Sequence, residues 1–175
     1  MNQVNNEAII GILMGSASDK DVADKVASTL KEFEVKFEVS VISAHRTPDL
    51  VTKYSQSAMK RGVKTIIAIA GLSAALPGVV AAHTTVPVIG VPVKGGALDG
   101  LDALLSVAQM PPGVPVSAVG LNGGVNAALQ AVRILALSNN ELLTKLNRYI
   151  EKASKNVIES QSKINHPAPP AEAFA

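Results

Sequence analysis

The chain contains no cysteine and no tryptophan, and aromatic residues make up only 3% of its 175 residues. The absence of cysteine excludes disulfide frameworks, thiolate metal sites and cysteine nucleophiles. The scarcity of aromatic side chains counts against binding of single-stranded nucleic acid, which usually stacks its bases on aromatic side chains. The core must therefore be built mainly from Val, Ile, Leu and Ala.

Charge of one sign and long apolar runs are also scarce. The formal net charge is only +2, which gives no footprint for a phosphate backbone, so we expect no nucleic-acid partner. The most apolar stretch, 65–82, is interrupted by Gly71, Ser73, Pro77 and Gly78, so we expect no membrane span. The first residues, MNQVNNEA, lack the basic and apolar segments of a signal peptide, which favours a cytoplasmic location.

Hydrophobic residues are plentiful, at 47%, while charged residues make up 17%. This balance is typical of a globular domain with a large buried core. We predict one domain over residues 1–164, which includes a C-terminal helix at about 139–164. The remaining residues, 165–175, are rich in Pro and Ala and are predicted to form a disordered tail.

Short β-branched segments alternate along the chain with longer helical patterns. Strands are predicted at 8–13, 36–42, 64–70, 86–93 and 114–119, and helices begin near residues 19, 48, 101 and 124. Such alternation is typical of a parallel sheet with right-handed crossovers. We therefore predict an α/β fold, a three-layer flavodoxin-like sandwich with a five-stranded parallel sheet and an extra C-terminal helix.

The C-terminal helix carries an apolar stripe that the sandwich does not need. The residues Ser138, Asn139, Asn140 and Glu141 supply its capping groups. The stripe consists of Leu142, Leu146, Tyr149, Ala153, Val157 and Ile164. It packs either across its own domain or on a neighbouring subunit, and we favour the neighbouring subunit and hence a homo-oligomer.

Glycines and small polar residues follow every predicted strand. The segments are 15–19 (GSASD), 43–48 (SAHRTP), 71–78 (GLSAALPG), 94–96 (KGG) and 121–124 (LNGG). In open parallel sheets, ligands bind beyond the carboxyl ends of the strands, where the strand order reverses. The sequence therefore predicts a binding site built from these loops.

The first loop combines a glycine and two hydroxyls with a helix start, an arrangement that suits an anion. Ser18 with Asp21 also fits a plain capping box, so this motif alone has two interpretations. Asp19 repels phosphate, and its carboxylate is better suited to accept hydrogen bonds from ribose hydroxyls. The segment 43–48 is more informative. The imidazole of His45 can take and give a proton near neutral pH, and the guanidinium of Arg46 fits phosphate.

The other histidines and the lysine after strand four are weaker candidates. His83 precedes strand four and is expected at the opposite edge of the sheet, while His166 lies in the predicted tail. Three histidines so scattered do not form a metal site. Lys94 either faces the ligand or is a solvated loop residue. Dinucleotide-binding and Walker phosphate motifs are absent from the sequence.

At these loops the chain closely resembles the N5-carboxyaminoimidazole ribonucleotide mutase family, the catalytic subunit family of phosphoribosylaminoimidazole carboxylase. The matching stretches are MGSASD (14–19), VISAHRTPD (41–49), ALPG (75–78), PVIGVPV (87–93), GLDALLS (100–106), QMPPGVPV (109–116) and NAAL (126–129). They occur in the family's order over nearly the whole domain.

The resemblance implies a flavodoxin-like octamer whose C-terminal helix reaches over a neighbour, with no metal, nucleotide cofactor or biotin. It implies that His45 is the catalytic acid and base, and that Ser16, Asp19 and Arg46 bind the ribonucleotide, Asp19 at the ribose and Arg46 near the phosphate. Further contacts are expected from Ser18, Ser43, Gly71, Ala74 and Leu76. The N-carboxylate is expected to leave as CO2 in a closed pocket and to be recaptured by the ring carbon, while His45 shuttles the proton.

The third loop departs from the pattern of many bacterial mutases, GGAAHLPG, since Ala75 stands where they have histidine. In that respect it is closer to the branch that carboxylates aminoimidazole ribonucleotide with CO2 directly, whereas SAHRTP is mutase-like. We favour the mutase and purine biosynthesis. The alternatives are the direct carboxylase, a carboxylase of a nicotinate-type nucleotide, and a non-catalytic flavodoxin-like binding module.

Overall fold

The computed structural model describes residues 9–174, which form an α/β fold around one parallel sheet. The strands of this sheet are β1 (Ile10–Met14), β2 (Phe37–Val41), β3 (Thr65–Gly71), β4 (Val88–Val93) and β5 (Ser117–Ala118). Their order is β2-β1-β3-β4-β5, and each neighbouring pair is parallel. This is the strand order of flavodoxin-like folds, in which the order reverses between β1 and β3.

Helices cover both faces of the sheet. They are α1 (Lys20–Glu32), α2 (Pro48–Ala58), α3 (Leu76–Ala82), α4 (Leu101–Ala108), α5 (Gly124–Ala136) and α6 (Asn140–Ser160). Side chains alternate between the faces along each strand, so Ile12 packs with α1 and α5 while Leu13 packs with α2, α3 and α4. Two apolar clusters, one on each face, thus confirm the predicted three-layer sandwich.

The central strands are apolar throughout because helices cover them on both sides. All five residues of β1 are buried, as are six of the seven residues of β3. The edge strand β2 has no fully buried residue, and its Val41 is 55% exposed. The continuous apolar pattern of β1 and β3 is therefore a consequence of their central position, which also fixes the loops that follow them.

Two elements differ from the prediction. The helix α3 is missing from it, since Pro77 and Gly78 are typical of loops. Proline is tolerated in the first turn of a helix, where its missing amide N–H has no partner to lose, and Pro77 lies there. The fifth strand is predicted over 114–119 but spans only Ser117–Ala118, because Pro115 has no amide N–H for the ladder.

The caps of the helices are only partly as predicted. Ser18 does not cap α1: the Ser16 hydroxyl accepts a hydrogen bond from the Ser18 amide (3.3 Å) and opens a short 3-10 turn, after which α1 begins. Thr47 directly precedes α2, but its hydroxyl forms hydrogen bonds with the amide and carbonyl of Ser43 rather than with the helix. Asn139 caps α6 as predicted, since its Oδ1 accepts from the Leu142 amide (3.0 Å).

The helix α6 packs on its own domain only over its first turns. Leu142 and Leu146 are buried in the core, and the ring of Tyr149 lies 5.5 Å from that of Phe33. Farther along, Val157 is 72% exposed. The helix ends at Ser160, short of the predicted 164, and a 3-10 turn follows it.

The last described residues form a third 3-10 turn, Ala171–Phe174, and the predicted disorder of 165–175 stays a prediction. None of the helices in the described part of the chain has the length and apolar character needed to cross a membrane.

Candidate active site

A cavity of about 650 Å³ lies at the carboxyl ends of β1, β2 and β3, beside the reversal of strand order. Its volume is within the range of sites for small organic ligands. Its walls come from three of the five loops that the sequence predicts, 15–19, 43–48 and 71–78, whereas the segments 94–96 and 121–124 do not line it. The lining residues are Gly15, Ser16, Ser18, Asp19, Ser43, Ala44, His45, Arg46, Ala70, Gly71, Leu72, Ser73, Ala75 and Leu76.

The first loop forms a polar wall with a buried carboxylate. The amide of Asp19 donates to the Ser16 carbonyl (3.2 Å), which curls the loop into a 3-10 turn. The Ser18 hydroxyl donates to the Asp19 Oδ1 (3.3 Å). Asp19 is only 7% exposed, yet it lines the cavity. This wall therefore presents an acceptor, which suits sugar hydroxyls and repels anions.

Burial raises the pKa of the Asp19 carboxyl, while the Ser18 hydroxyl, the Ser16 amide and the charge of Arg46 partly oppose that rise. A carboxyl whose pKa is higher in the folded state than in the unfolded chain destabilises the fold once it ionises. The contribution of Asp19 to the free energy of unfolding therefore falls as pH rises from about the unfolded pKa of 3.8 through the raised folded pKa.

We expect the Asp19→Asn variant to gain stability over the native protein at pH 7, because the buried charge is removed while an oxygen acceptor for Ser18 remains. The gain should vanish below the unfolded pKa, where the Asp19 carboxyl of the native protein is protonated in both the folded and the unfolded chain. Thermal unfolding midpoints of both proteins at pH 3.5 and pH 7 measure this. A gain of equal size at both pH values would contradict the burial effect.

The second loop is tied together by its own hydroxyls. The Ser43 amide donates to the Thr47 Oγ1 (2.8 Å), and the Arg46 amide donates to the Ser43 Oγ (3.2 Å). These bonds form a tight turn between β2 and α2. His45 lies at the apex of this turn. The sequence SAHRTP therefore presents two consecutive functional side chains toward the cavity.

Arg46 joins the second loop to the first. Its Nη2 donates to the Gly15 carbonyl (2.7 Å), and its Nε donates to the Ser43 Oγ (3.4 Å). Among the described residues, Nη1 makes no hydrogen bond, which leaves part of the guanidinium for a ligand. A guanidinium so oriented is suited to hold phosphate.

His45 lines the same cavity and is exposed. Within residues 9–174 its imidazole makes no hydrogen bond to the protein, so both ring nitrogens are available to a ligand. The cavity thus combines one proton carrier, one cation and one buried carboxylate. That set is suited to proton transfer on a bound anionic ribonucleotide.

The third loop forms the least polar wall. Gly71 and Leu76 line the cavity, as the prediction for a binding role requires. Ala74 does not: it is 1% exposed and packs in the apolar cluster with α2 and α3, because the turn into α3 points its side chain inward. Its side chain therefore supports the loop from the core side, and its contact with a ligand stays a prediction.

The prediction of site residues lacks several neighbours in the same loops. The omitted lining residues are Gly15, Ala44, Ala70, Leu72, Ser73 and Ala75. Leu72 has a φ of 56°, which is uncommon for a residue other than glycine. This conformation holds Leu72 58% exposed at the rim of the cavity. The only sequence signal for the six omitted residues is that they are adjacent to predicted ones.

The residues considered weaker lie outside the cavity. His83 ends α3 at the opposite edge of the sheet, with its Nδ1 2.8 Å from the Val79 carbonyl oxygen. His166 is exposed, and Lys94 forms an exposed ion pair with Asp99 (3.1 Å). In the described ranges, no group of three or more His, Cys, Asp or Glu residues could hold a metal ion.

Comparison with known proteins agrees with this geometry. The AIR carboxylase family matches residues 9–156 of the chain, which include every wall of the cavity. The chain belongs to the AIR carboxylase family. One relative is the Methanocaldococcus jannaschii N5-carboxyaminoimidazole ribonucleotide mutase, which is 53% identical over 156 residues, or 89% of this chain and 97% of that protein.

Other members of the AIR carboxylase family are larger. Saccharomyces cerevisiae phosphoribosylaminoimidazole carboxylase is 51% identical over 89% of this chain, but the chain spans only 27% of that protein's length. Among solved structures, Treponema denticola PurE superposes with a TM-score of 0.82 at 34% identity, covering 90% of this chain and 98% of that one. This likeness confirms the predicted fold.

Proposed function

We propose that this protein is an N5-carboxyaminoimidazole ribonucleotide mutase of purine biosynthesis, which produces 4-carboxy-5-aminoimidazole ribonucleotide. The observation that carries the proposal is that His45, Arg46 and Asp19 line one cavity at the switch point of an AIR carboxylase fold. The mutase name of a 53% identical relative of almost the same length supports it.

In this proposal the ribonucleotide lies between the first two loops. Arg46 binds the phosphate, and the Asp19 carboxylate accepts hydrogen bonds from the ribose hydroxyls. Ser16, Ser18 and Ser43 add contacts to this polar end. Gly71 and Leu76 form the wall against the aminoimidazole. The charges favour this orientation, because the guanidinium attracts the phosphate while the buried carboxylate accepts hydrogen bonds from neutral hydroxyls.

The reaction needs one net proton transfer and no oxidant or reductant. Cleavage of the bond between the exocyclic nitrogen and the carboxyl carbon releases CO2, and that nitrogen gains a proton. The ring carbon C4 then attacks CO2 and afterwards loses its own proton. His45 gives the first proton and takes the second, so it returns to its starting state. The apolar third loop excludes water while CO2 is free.

The carboxyl donor is the experimental test of this proposal. The purified protein is supplied either with N5-carboxyaminoimidazole ribonucleotide in buffer purged of bicarbonate, or with aminoimidazole ribonucleotide at high bicarbonate. A mutase forms product from the first donor at rates that added bicarbonate does not raise. Product from the second donor alone would overturn the proposal and identify a direct carboxylase.

The direct carboxylase is the second candidate function, and two observations favour it. The yeast relative that is 51% identical carries the carboxylase name. The cavity wall at Ala75 also lacks the imidazole that many bacterial mutases have there. The SAHRTP loop favours the mutase.

We further propose that the protein acts as a homo-octamer in which the far half of α6 packs on a neighbouring copy. This half exposes Val157, Ile158 and Ile150, at 72%, 71% and 43%. Burial of such apolar surface is favourable. Light scattering should give eight chains for the native protein and fewer for a Val157→Lys, Ile158→Lys variant. A native monomer would contradict this.

The cytoplasmic location expected from the sequence stays a prediction.

A further inference from the structure

Ser73 differs from the other serines of the cavity in having an unused hydroxyl. Four serines line the cavity. The hydroxyls of Ser16, Ser18 and Ser43 each take part in a hydrogen bond with the protein. The Ser73 hydroxyl makes none within the described residues, although its carbonyl accepts from the Ala75 amide (2.7 Å). This bond fixes the backbone of Ser73, while its hydroxyl remains available to donate a hydrogen bond to a ligand.

Ser73 is also the one polar side chain on the third wall. That wall otherwise consists of Ala70, Gly71, Leu72, Ala75 and Leu76. An ionised group placed against so apolar a surface loses hydration and needs a hydrogen-bond donor in return. The wall contains no acidic side chain, in contrast to the first loop, where the buried Asp19 repels anions.

We propose that the Ser73 hydroxyl donates a hydrogen bond to the carboxylate that the enzyme moves, and that Ser73 thereby selects carboxylated over uncarboxylated ribonucleotide. The inference rests on the proposed function, since it assumes an aminoimidazole ribonucleotide in the cavity. It follows from the division of charge. The guanidinium of Arg46 on the second loop takes the phosphate, and the aminoimidazole lies against the third loop, so the carboxylate on that ring faces the wall that has no acidic side chain.

A neutral donor fits this task because the bound group changes its charge during the reaction. A hydrogen bond to a charged group is stronger than one to a neutral group, so the hydroxyl favours the carboxylate over CO2. A cationic side chain at the same place would bind the carboxylate more tightly and oppose loss of CO2. Ser73 therefore stabilises both the substrate and the product without trapping either.

The test compares two ligands that differ by the carboxyl group. Dissociation constants of 4-carboxy-5-aminoimidazole ribonucleotide and of aminoimidazole ribonucleotide are measured by calorimetry for the native protein and for Ser73→Ala. We expect Ser73→Ala to weaken binding of the carboxylated ligand about 10-fold, since one hydrogen bond to a charged group is lost. Binding of the uncarboxylated ligand should stay within about twofold.

Two further variants make the result specific. Ser73→Thr keeps the hydroxyl and should restore most of the preference. Ser106→Ala removes a hydroxyl on α4 that donates to the Asp102 carbonyl outside the cavity, and it should change neither constant. An equal loss for both ligands, or no loss for either, would overturn the role of Ser73. A native protein that binds both ligands but turns over neither carboxyl donor would instead overturn the proposed function.

Discussion

The His45→Asn variant is expected to lose turnover by at least about 100-fold while it keeps its affinity for the ribonucleotide. General acid and base catalysis by one side chain contributes about 10²- to 10⁴-fold, and asparagine cannot carry the proton. Binding should survive because the proposed contacts to phosphate and ribose come from Arg46 and Asp19. Steady-state kcat and the dissociation constant of aminoimidazole ribonucleotide test this expectation.

A matched control is available in the same chain. His166 is exposed beyond the last helix and lies outside the cavity, so His166→Asn should leave kcat unchanged. If His45→Asn turned over substrate within a few-fold of the native rate, the imidazole would not be the proton carrier. If binding fell together with kcat, His45 would act in binding instead.

The second large effect is expected for Arg46→Ala, which should raise KM about 10- to 100-fold with a smaller change in kcat. A charge-assisted hydrogen bond contributes about 1.5–3 kcal/mol, which corresponds to such a factor. The native guanidinium is held in place by the Gly15 carbonyl and the Ser43 hydroxyl, so its geometry is fixed before the ligand binds. Arg46→Lys keeps the charge but loses the planar guanidinium, so its KM should lie between those of the native protein and Arg46→Ala.

The phosphate role of Arg46 is separable from a general loss of the site. A nucleoside analogue without phosphate should bind the native protein and Arg46→Ala with the same affinity, whereas the nucleotide should bind the variant more weakly. Lys31→Ala, which removes an exposed positive charge at the end of α1, is the control for overall charge. An equal loss of nucleoside and nucleotide affinity would contradict phosphate binding by Arg46.

Much of the site was predictable because it follows from topology. In a parallel sheet the segments after successive strands meet at one edge, so the loops containing Ser16, His45 and Gly71 could be placed together from their sequence positions. The central strands were predictable for a related reason. Their burial on both faces demands continuous apolar residues, which the segments around Ile12 and Ile67 supply.

Features that depend on tertiary contact or on local backbone conformation were not predictable. The bond between Arg46 and Gly15 joins residues 31 positions apart, and no local pattern indicates it. The inward orientation of Ala74 depends on the turn into α3. This helix is missing from the prediction because Pro77 and Gly78 are typical of loops. The left-handed conformation of Leu72 occurs at a residue type that does not suggest it. These features decide which side chains of the third loop reach the cavity.

The measurement that tests the central claim most directly follows a labelled carboxyl group. N5-carboxyaminoimidazole ribonucleotide with ¹³C in its N-carboxylate is supplied to the enzyme in buffer that contains unlabelled bicarbonate, and the product is examined by mass spectrometry. If CO2 stays in the cavity between its release and its recapture at C4, the product retains most of the label during the first turnovers. A product whose carboxyl group carries the isotope content of the bulk bicarbonate would contradict the mutase assignment.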